Sequence, residues 1–206
     1  MMKEMELYSI WKKNANRELQ EELAAIAGDV DAIEDRFYQE LEFGTAGLRG
    51  IIGAGTNRMN VVMVGKTTQA LAEYLLQRYP NPSVAISYDS RIKSEEFAKH
   101  AACVLAANGV VAHLYRQLMP TPCLSYAVRQ LGCQAGIMVT ASHNPAKYNG
   151  YKAYGPDGCQ MTSESADAVL EISSHIDPFH GVRSMAFDRA LEQGNIQYID
   201  PALEQK

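Results

Sequence analysis

Between residues 140 and 152 the chain reads TASHNPAKYNGYK: Ser142 is followed at once by His143, Asn144 and Pro145, with Lys147 and Lys152 further on. A hydroxyl beside an imidazole suggests a nucleophile with its base. Adjacent side chains in an extended segment point apart, however, and no acid is placed to orient the imidazole, so a hydrolase triad is disfavoured. The Gly-x-Ser-x-Gly elbow is absent too, since Asn144 stands where its second glycine belongs. The other chemistry open to such a serine is to carry a phosphoryl group. That reaction passes through a loose, anionic transition state, which calls for cations, a metal and positioning rather than a strong base. His143, Lys147 and Lys152 are cationic or polar side chains that could serve Ser142, and nearby arginine, lysine and the glycine-dense stretch FGTAGLRGIIGAG (43–55) suit that job. Bland alternatives stand beside each: a turn serine, a loop histidine with no part in chemistry, a solvated lysine, and an arginine bracing glycine turns.

These residues need a frame. Leu7, Ile10 and Trp11, then Leu19, Leu23 and Ile26, then Ile33, Phe37 and Leu41 recur at helix spacing, which predicts two or three amphipathic helices over 1–42, packed on the main domain. Beyond the glycines the chain alternates. A helix is expected near 65–79, a strand at SVAISYD (83–89), a helix over 93–108, a strand at VVAHL (110–114), a helix opening at Thr121-Pro122 and a strand at AGIMV (135–139). NGYKAYG reads as a returning strand, residues 162–176 as a helix, and RGIIG as a short strand among the glycines. The expected fold is α/β: three layers, α/β/α, around a mixed, mostly parallel sheet, preceded by the helical extension. The domain spans 43–185, and 186–206 reads as the start of a linker. Such sheets bind ligands beyond the carboxyl ends of their strands. Two loops fall there, YDSR (88–91) and TASHNP (140–145), so Ser142 lies where chemistry is expected. For Arg91, pairing with Asp89 or a loop carbonyl competes with substrate contact.

Bulk properties narrow the functions. With 206 residues, 47% hydrophobic and 21% charged, the chain reads as an ordinary globular protein. A net charge of −5 provides no general field for nucleic acid or anionic membrane, so neither is an expected partner. Cys103, Cys123, Cys133 and Cys159 contain no CxxC pair, which fits reduced thiols and a cytoplasmic location. The N-terminus lacks the apolar core of a signal peptide. Two motifs almost match. NVVMVGKTT has the Gly65-Lys66-Thr67 of a P-loop, but Asn60 replaces its first glycine and its middle is apolar; GAGTNR (53–58) ends a dinucleotide pattern in Arg58. Neither supports a nucleotide site. His100, His113, His175 and His180 are given no role.

Taken together, TASHNPAKYNGYK resembles the active-site serine loop of the α-D-phosphohexomutase family, the phosphoglucomutases and phosphomannomutases. LEFGTAGLRGIIGAGTNRMN and YDSR resemble two further elements of that family, in the right order, and the helices in front make the phosphoglucomutase and phosphopentomutase branch the nearest. The resemblance implies a phosphoserine at Ser142 that donates to one sugar oxygen, forms a bisphosphate and regains the other phosphate. It implies catalytic roles for His143, Lys152 and Arg49, substrate binding by Thr45, Asn144 and Arg91, and Mg²⁺ bound through the phosphoryl oxygen of Ser142. Glucose 1,6-bisphosphate is the implied primer, and a sugar phosphate, most simply glucose phosphate, the substrate. Family enzymes have four domains, and nothing in 156–206 resembles the Asp-rich metal loop, the sugar-recognition loop or the phosphate-binding loop. The expectation is therefore a first domain, inactive in isolation, that works with the remaining domains of a parent enzyme. Mannose and pentose phosphates, or a non-catalytic sugar-phosphate-binding role, are the alternatives.

Overall fold

A computed structural model describes residues 2–41, 43–44 and 47–204. The chain opens with three helices, α1 (Met2–Asn14), α2 (Arg17–Ala25) and α3 (Val30–Phe37). Asn16 and Asp29 cap the second and third, each accepting the amide three residues on at 3.0 Å. Their apolar stripes meet in one cluster: Trp11 packs edge-on against Phe37, centroids 5.9 Å apart, with Leu19, Leu23 and Ile33 around them. The cluster includes Ala54 and Met63, and Trp11 also meets Phe179, centroids 5.3 Å apart, so the extension shares its core with later parts of the chain.

Next come β1 (Phe43–Gly44), β2 (Gly47–Ile51), α4 (Val61–Leu76), β3 (Ser83–Tyr88), α5 (Ser94–Ala107), β4 (Val111–Leu114), α6 (Thr121–Leu131), β5 (Ala135–Val139), β6 (Tyr148–Tyr154) and α7 (Ser163–Ser174). The expected helix near 65–79 begins earlier, because Asn60 caps it by accepting the Met63 amide at 3.0 Å. Past residue 186, where a linker was expected, the chain instead builds α8 (Phe187–Glu192), β7 (Ile196–Tyr198) and α9 (Pro201–Glu204). Strand β7 runs parallel to β4 and buries Ile196 at the sheet edge. That burial is what draws the segment onto the sheet.

The seven strands form one sheet in the order β1-β2-β6-β5-β3-β4-β7. The pairs β3–β4, β3–β5 and β4–β7 are parallel, and β5–β6, β2–β6 and β1–β2 antiparallel, so the sheet is mixed as anticipated. Alternation along the strands divides its faces. Val84, Ile86, Ile137, Val139, Tyr151 and Ala153 point to α4, α5 and α7; Ala85, Met138 and Tyr154 point to Leu124, Ala127 and Val128 of α6. This is the three-layer α/β/α arrangement. Among the described residues no helix is long and apolar enough to cross a membrane.

Candidate active site

Strands β3 and β5 are neighbours, and both end at the same edge. The loop after β3 (residues 89–93) and the loop between β5 and β6 (residues 140–147) therefore meet, as expected for ligand-bearing loops in an open α/β sheet. Between them is an open cleft of about 400 Å³, lined by Asp89, Ser90, Arg91, Ile92, Ser142, Asn144 and Ala146.

Ser142 is exposed at this cleft and has φ 57°, in the left-handed region. A non-glycine residue there costs on the order of 1 kcal/mol and persists only where its surroundings over-determine it. This overturns one expectation. The segment is not extended at Ser142, and the left-handed turn brings its Oγ to 3.4 Å from Nδ1 of His143 instead of sending the two side chains apart. Among the described residues no carboxylate is bonded to His143, so a hydrolase triad remains unsupported. Asn144 closes the turn locally: its amide and its Nδ2 both donate to the Ala141 carbonyl, at 3.1 and 2.9 Å.

A polar framework supports the loop from below. The Ser142 amide donates to Thr140 Oγ1 at 2.9 Å, and that hydroxyl donates to Asp89 Oδ2 at 2.6 Å. Asp89 Oδ1 accepts from Ser94 Oγ at 2.8 Å and from the Arg91 amide at 3.0 Å. Fully buried Asn149 donates to Ser94 Oγ at 3.0 Å and to the Ile92 carbonyl at 2.9 Å. Arg91, expected among the substrate contacts, spends its guanidinium on the serine loop's own backbone, bonding the carbonyls of Ser142, Asn144, Pro145 and Tyr148. Thr140, Ser94 and Asn149 were not anticipated from sequence; the one available signal was the acid at the end of β3.

Arg49 and Lys152 belong to the neighbouring β2–β6 ladder. Gly150 faces Arg49, and Gly47 faces Lys152. Both cations thus share one face of the ladder, the α6 face to which Met138, cross-strand from Lys152, also points. Arg49 is exposed and Lys152 half-buried, and among the described residues neither is in an ion pair. The ladder reaches the serine loop directly, since Thr140 donates its amide to the Gly150 carbonyl at 3.0 Å. Lys147 is exposed beside the Tyr148 ring. Thr45 lies outside the described residues.

Mg²⁺ takes six oxygen ligands in near-octahedral geometry. Among the described residues no three His, Cys, Asp or Glu side chains are grouped to hold a metal ion, and both oxygens of Asp89 are already engaged. One oxygen on Ser142 does not make such a site, so the described residues alone do not fit a bound Mg²⁺.

Residues 40–179 match the family model described as phosphoglucomutase/phosphomannomutase, alpha/beta/alpha domain I. A phosphoglucomutase from Staphylococcus aureus (strain MRSA252) is 38% identical over 193 residues, covering 93% of this chain and 34% of the relative. The chain thus spans about a third of the length of the curated relatives it matches. Among solved structures, a Thermus thermophilus protein provisionally described as a phosphomannomutase superposes with TM-score 0.65 at 28% identity, over 79% of this chain and 33% of that one. A phosphoglucomutase/phosphomannomutase family protein from Burkholderia thailandensis, at 22% identity and TM-score 0.58 over 79% of this chain and 34% of that one, shares the fold.

Proposed function

Because the chain belongs to the phosphoglucomutase/phosphomannomutase family, we propose that Ser142 is the phosphoryl carrier of a mutase that interconverts glucose 1-phosphate and glucose 6-phosphate in the cytoplasm. The observation that supports this reading best is the placement of Ser142: exposed at a cleft at the strand ends, and fixed in a left-handed turn. Phospho-Ser142 gives its phosphoryl group to a free hydroxyl of the sugar monophosphate, whose proton leaves. The products are a sugar bisphosphate and the free Ser142 hydroxyl. The bisphosphate turns over, the Ser142 oxygen takes the other phosphoryl group, and the released sugar oxygen is protonated. The isomer is formed, the phosphoserine restored, and no nucleotide consumed.

Arg49 and Lys152 offer unpaired positive charge for the anionic transition state, and Lys152 is also a candidate for the proton. His143 lines the site beside Ser142, with Asn144 and Thr45 as substrate contacts. Mg²⁺, when bound, would neutralise phosphoryl charge; it would take the Ser142 phosphate as one ligand and the others from outside the described residues. Glucose 1,6-bisphosphate serves as primer. The further domains of a parent enzyme would complete the sugar site, and this chain alone would show negligible turnover.

The test is a mutase assay on the complete enzyme that carries this chain, with glucose 1-phosphate, Mg²⁺ and primer. Ser142→Ala should lower the rate by roughly a thousandfold or more, with loss of the phosphate seen by intact mass. An enzyme that stays active without the serine overturns the reading. Sugar-phosphate binding without turnover would favour the non-catalytic role, and preference for mannose or pentose phosphates would reassign the substrate.

A further inference from the structure

Arg91 is placed as no substrate-binding arginine would need to be. Its Nη2 donates to the carbonyls of Ser142 at 2.5 Å and Asn144 at 2.7 Å, and its Nη1 to those of Pro145 and Tyr148, each at 3.2 Å. Its Nε lies 3.4 Å from Asp89 Oδ2. A guanidinium has five N–H groups in one rigid plane. Four are spent on carbonyls and the fifth faces a carboxylate, so none is left for a sugar phosphate. Asp89 opposes the charge locally, which leaves little net field for an anion.

The carbonyls come from four residues within a seven-residue stretch. Main-chain oxygens that converge in this way repel one another and need donors. Arg91 provides them from a loop more than fifty residues away in sequence. The same loop reaches Ser142 by a second route, through Asp89, Thr140 Oγ1 and the Ser142 amide. Ser142 is therefore gripped at both its amide and its carbonyl. Such a double hold is what a residue kept in the left-handed region requires.

We propose that Arg91 is a positioning residue: it curls the serine loop through its backbone carbonyls and holds Ser142 in the left-handed turn that presents its hydroxyl, without contacting substrate. This rests on Ser142 as the phosphoryl carrier. Lysine cannot substitute, because one ammonium with three donors on a flexible stem cannot span four carbonyls.

The experiment compares Arg91→Lys and Arg91→Met with the unaltered protein in two ways. Amide hydrogen exchange on the 206-residue chain reads the loop directly. The amides of Ser142, Asn144 and Tyr148, all hydrogen-bonded in the structure, should exchange roughly tenfold faster or more in both variants, while those of Ile86 and Ile137 in the sheet are unchanged. In the complete enzyme both variants should lose kcat by roughly tenfold or more, with KM for glucose 1-phosphate altered by less than about threefold. Loop amides that stay protected would show that Arg91 does not hold the loop, and a lysine variant that keeps kcat while KM rises would show direct substrate contact; either result overturns the proposal. If both variants lose protection in the sheet as well, Thr140→Val tests the second hold: the Ser142 amide should exchange faster, and an unchanged rate overturns the framework. An unaltered enzyme with no mutase activity would sink the carrier role of Ser142, while the exchange measurement would still decide whether Arg91 holds the loop.

Discussion

Gly150 stands directly opposite Arg49 across the β2–β6 ladder, and a Cβ built on it would lie 2.7 Å from the Thr140 carbonyl oxygen and 2.8 Å from that of Leu48. Both obstructing atoms belong to the main chain, so neither can swing aside as a side-chain end would. The bare glycine also leaves open the face from which Arg49 projects. Gly150→Ala should cost roughly 3 kcal/mol in urea unfolding, at the upper end for overpacking. A loss below about 0.5 kcal/mol would mean that the strands separate more easily than this ladder suggests.

Lys66 and Glu40 form an unequal pair. The lysine side chain is 4% exposed and the glutamate 54%, and Nζ meets both carboxylate oxygens, at 2.8 and 2.7 Å. Removing the glutamate strands a buried ammonium; removing the lysine leaves a carboxylate that water can solvate. Glu40→Ala should therefore destabilise by about 1–2 kcal/mol, discounted from the fully buried case because half of the pair is wet, and Lys66→Met by less. The reverse order in chemical denaturation would refute the asymmetry.

His100 on α5 lies against α4, where a Cβ at Gly65 would come within 2.9 Å of its Nε2. Burial holds its pKa below the ordinary 6.5, outweighing a nearby Glu96 that pushes the other way. Below about pH 6.5 the unfolded chain therefore takes up a proton that the folded chain resists. Stability should be unaffected above that pH and fall as the solution is acidified, by at most about 1.4 kcal/mol per pH unit for this group. Burial lowers the pKa of His113 in the same direction, so the measurement is a difference. The melting temperature of His100→Gln should drop less than that of the parent between about pH 7.5 and pH 5.5. Parallel drops would exclude His100 as a contributor.

The strands β3 and β5 were legible because runs such as Val84-Ala85-Ile86 and Gly136-Ile137-Met138-Val139 are apolar enough to mark buried parallel strands. The position of Ser142, on the loop that leaves β5 at the cleft, was legible from the strand it follows. Strand β7 was not: three residues, Ile196 to Tyr198, carry too little pattern, and only the exposed flank of β4 makes them a strand. The work of Arg91 was also hidden. Its partners are carbonyl oxygens, which every residue possesses, so no choice of side chain in the serine loop records the contact. The helix start at Val61 could have been read from Asn60, whose cap was obscured by the likeness of GKT to a phosphate loop.

The left-handed backbone at residue 142 also restricts which amino acid can supply a hydroxyl there. Threonine offers the same oxygen, but a β-branched side chain at φ 57° crowds its own carbonyl and becomes a true outlier. Serine is the one hydroxyl-bearing aliphatic residue that tolerates the turn. The choice between a primary and a secondary alcohol at this position is thus made by the main chain.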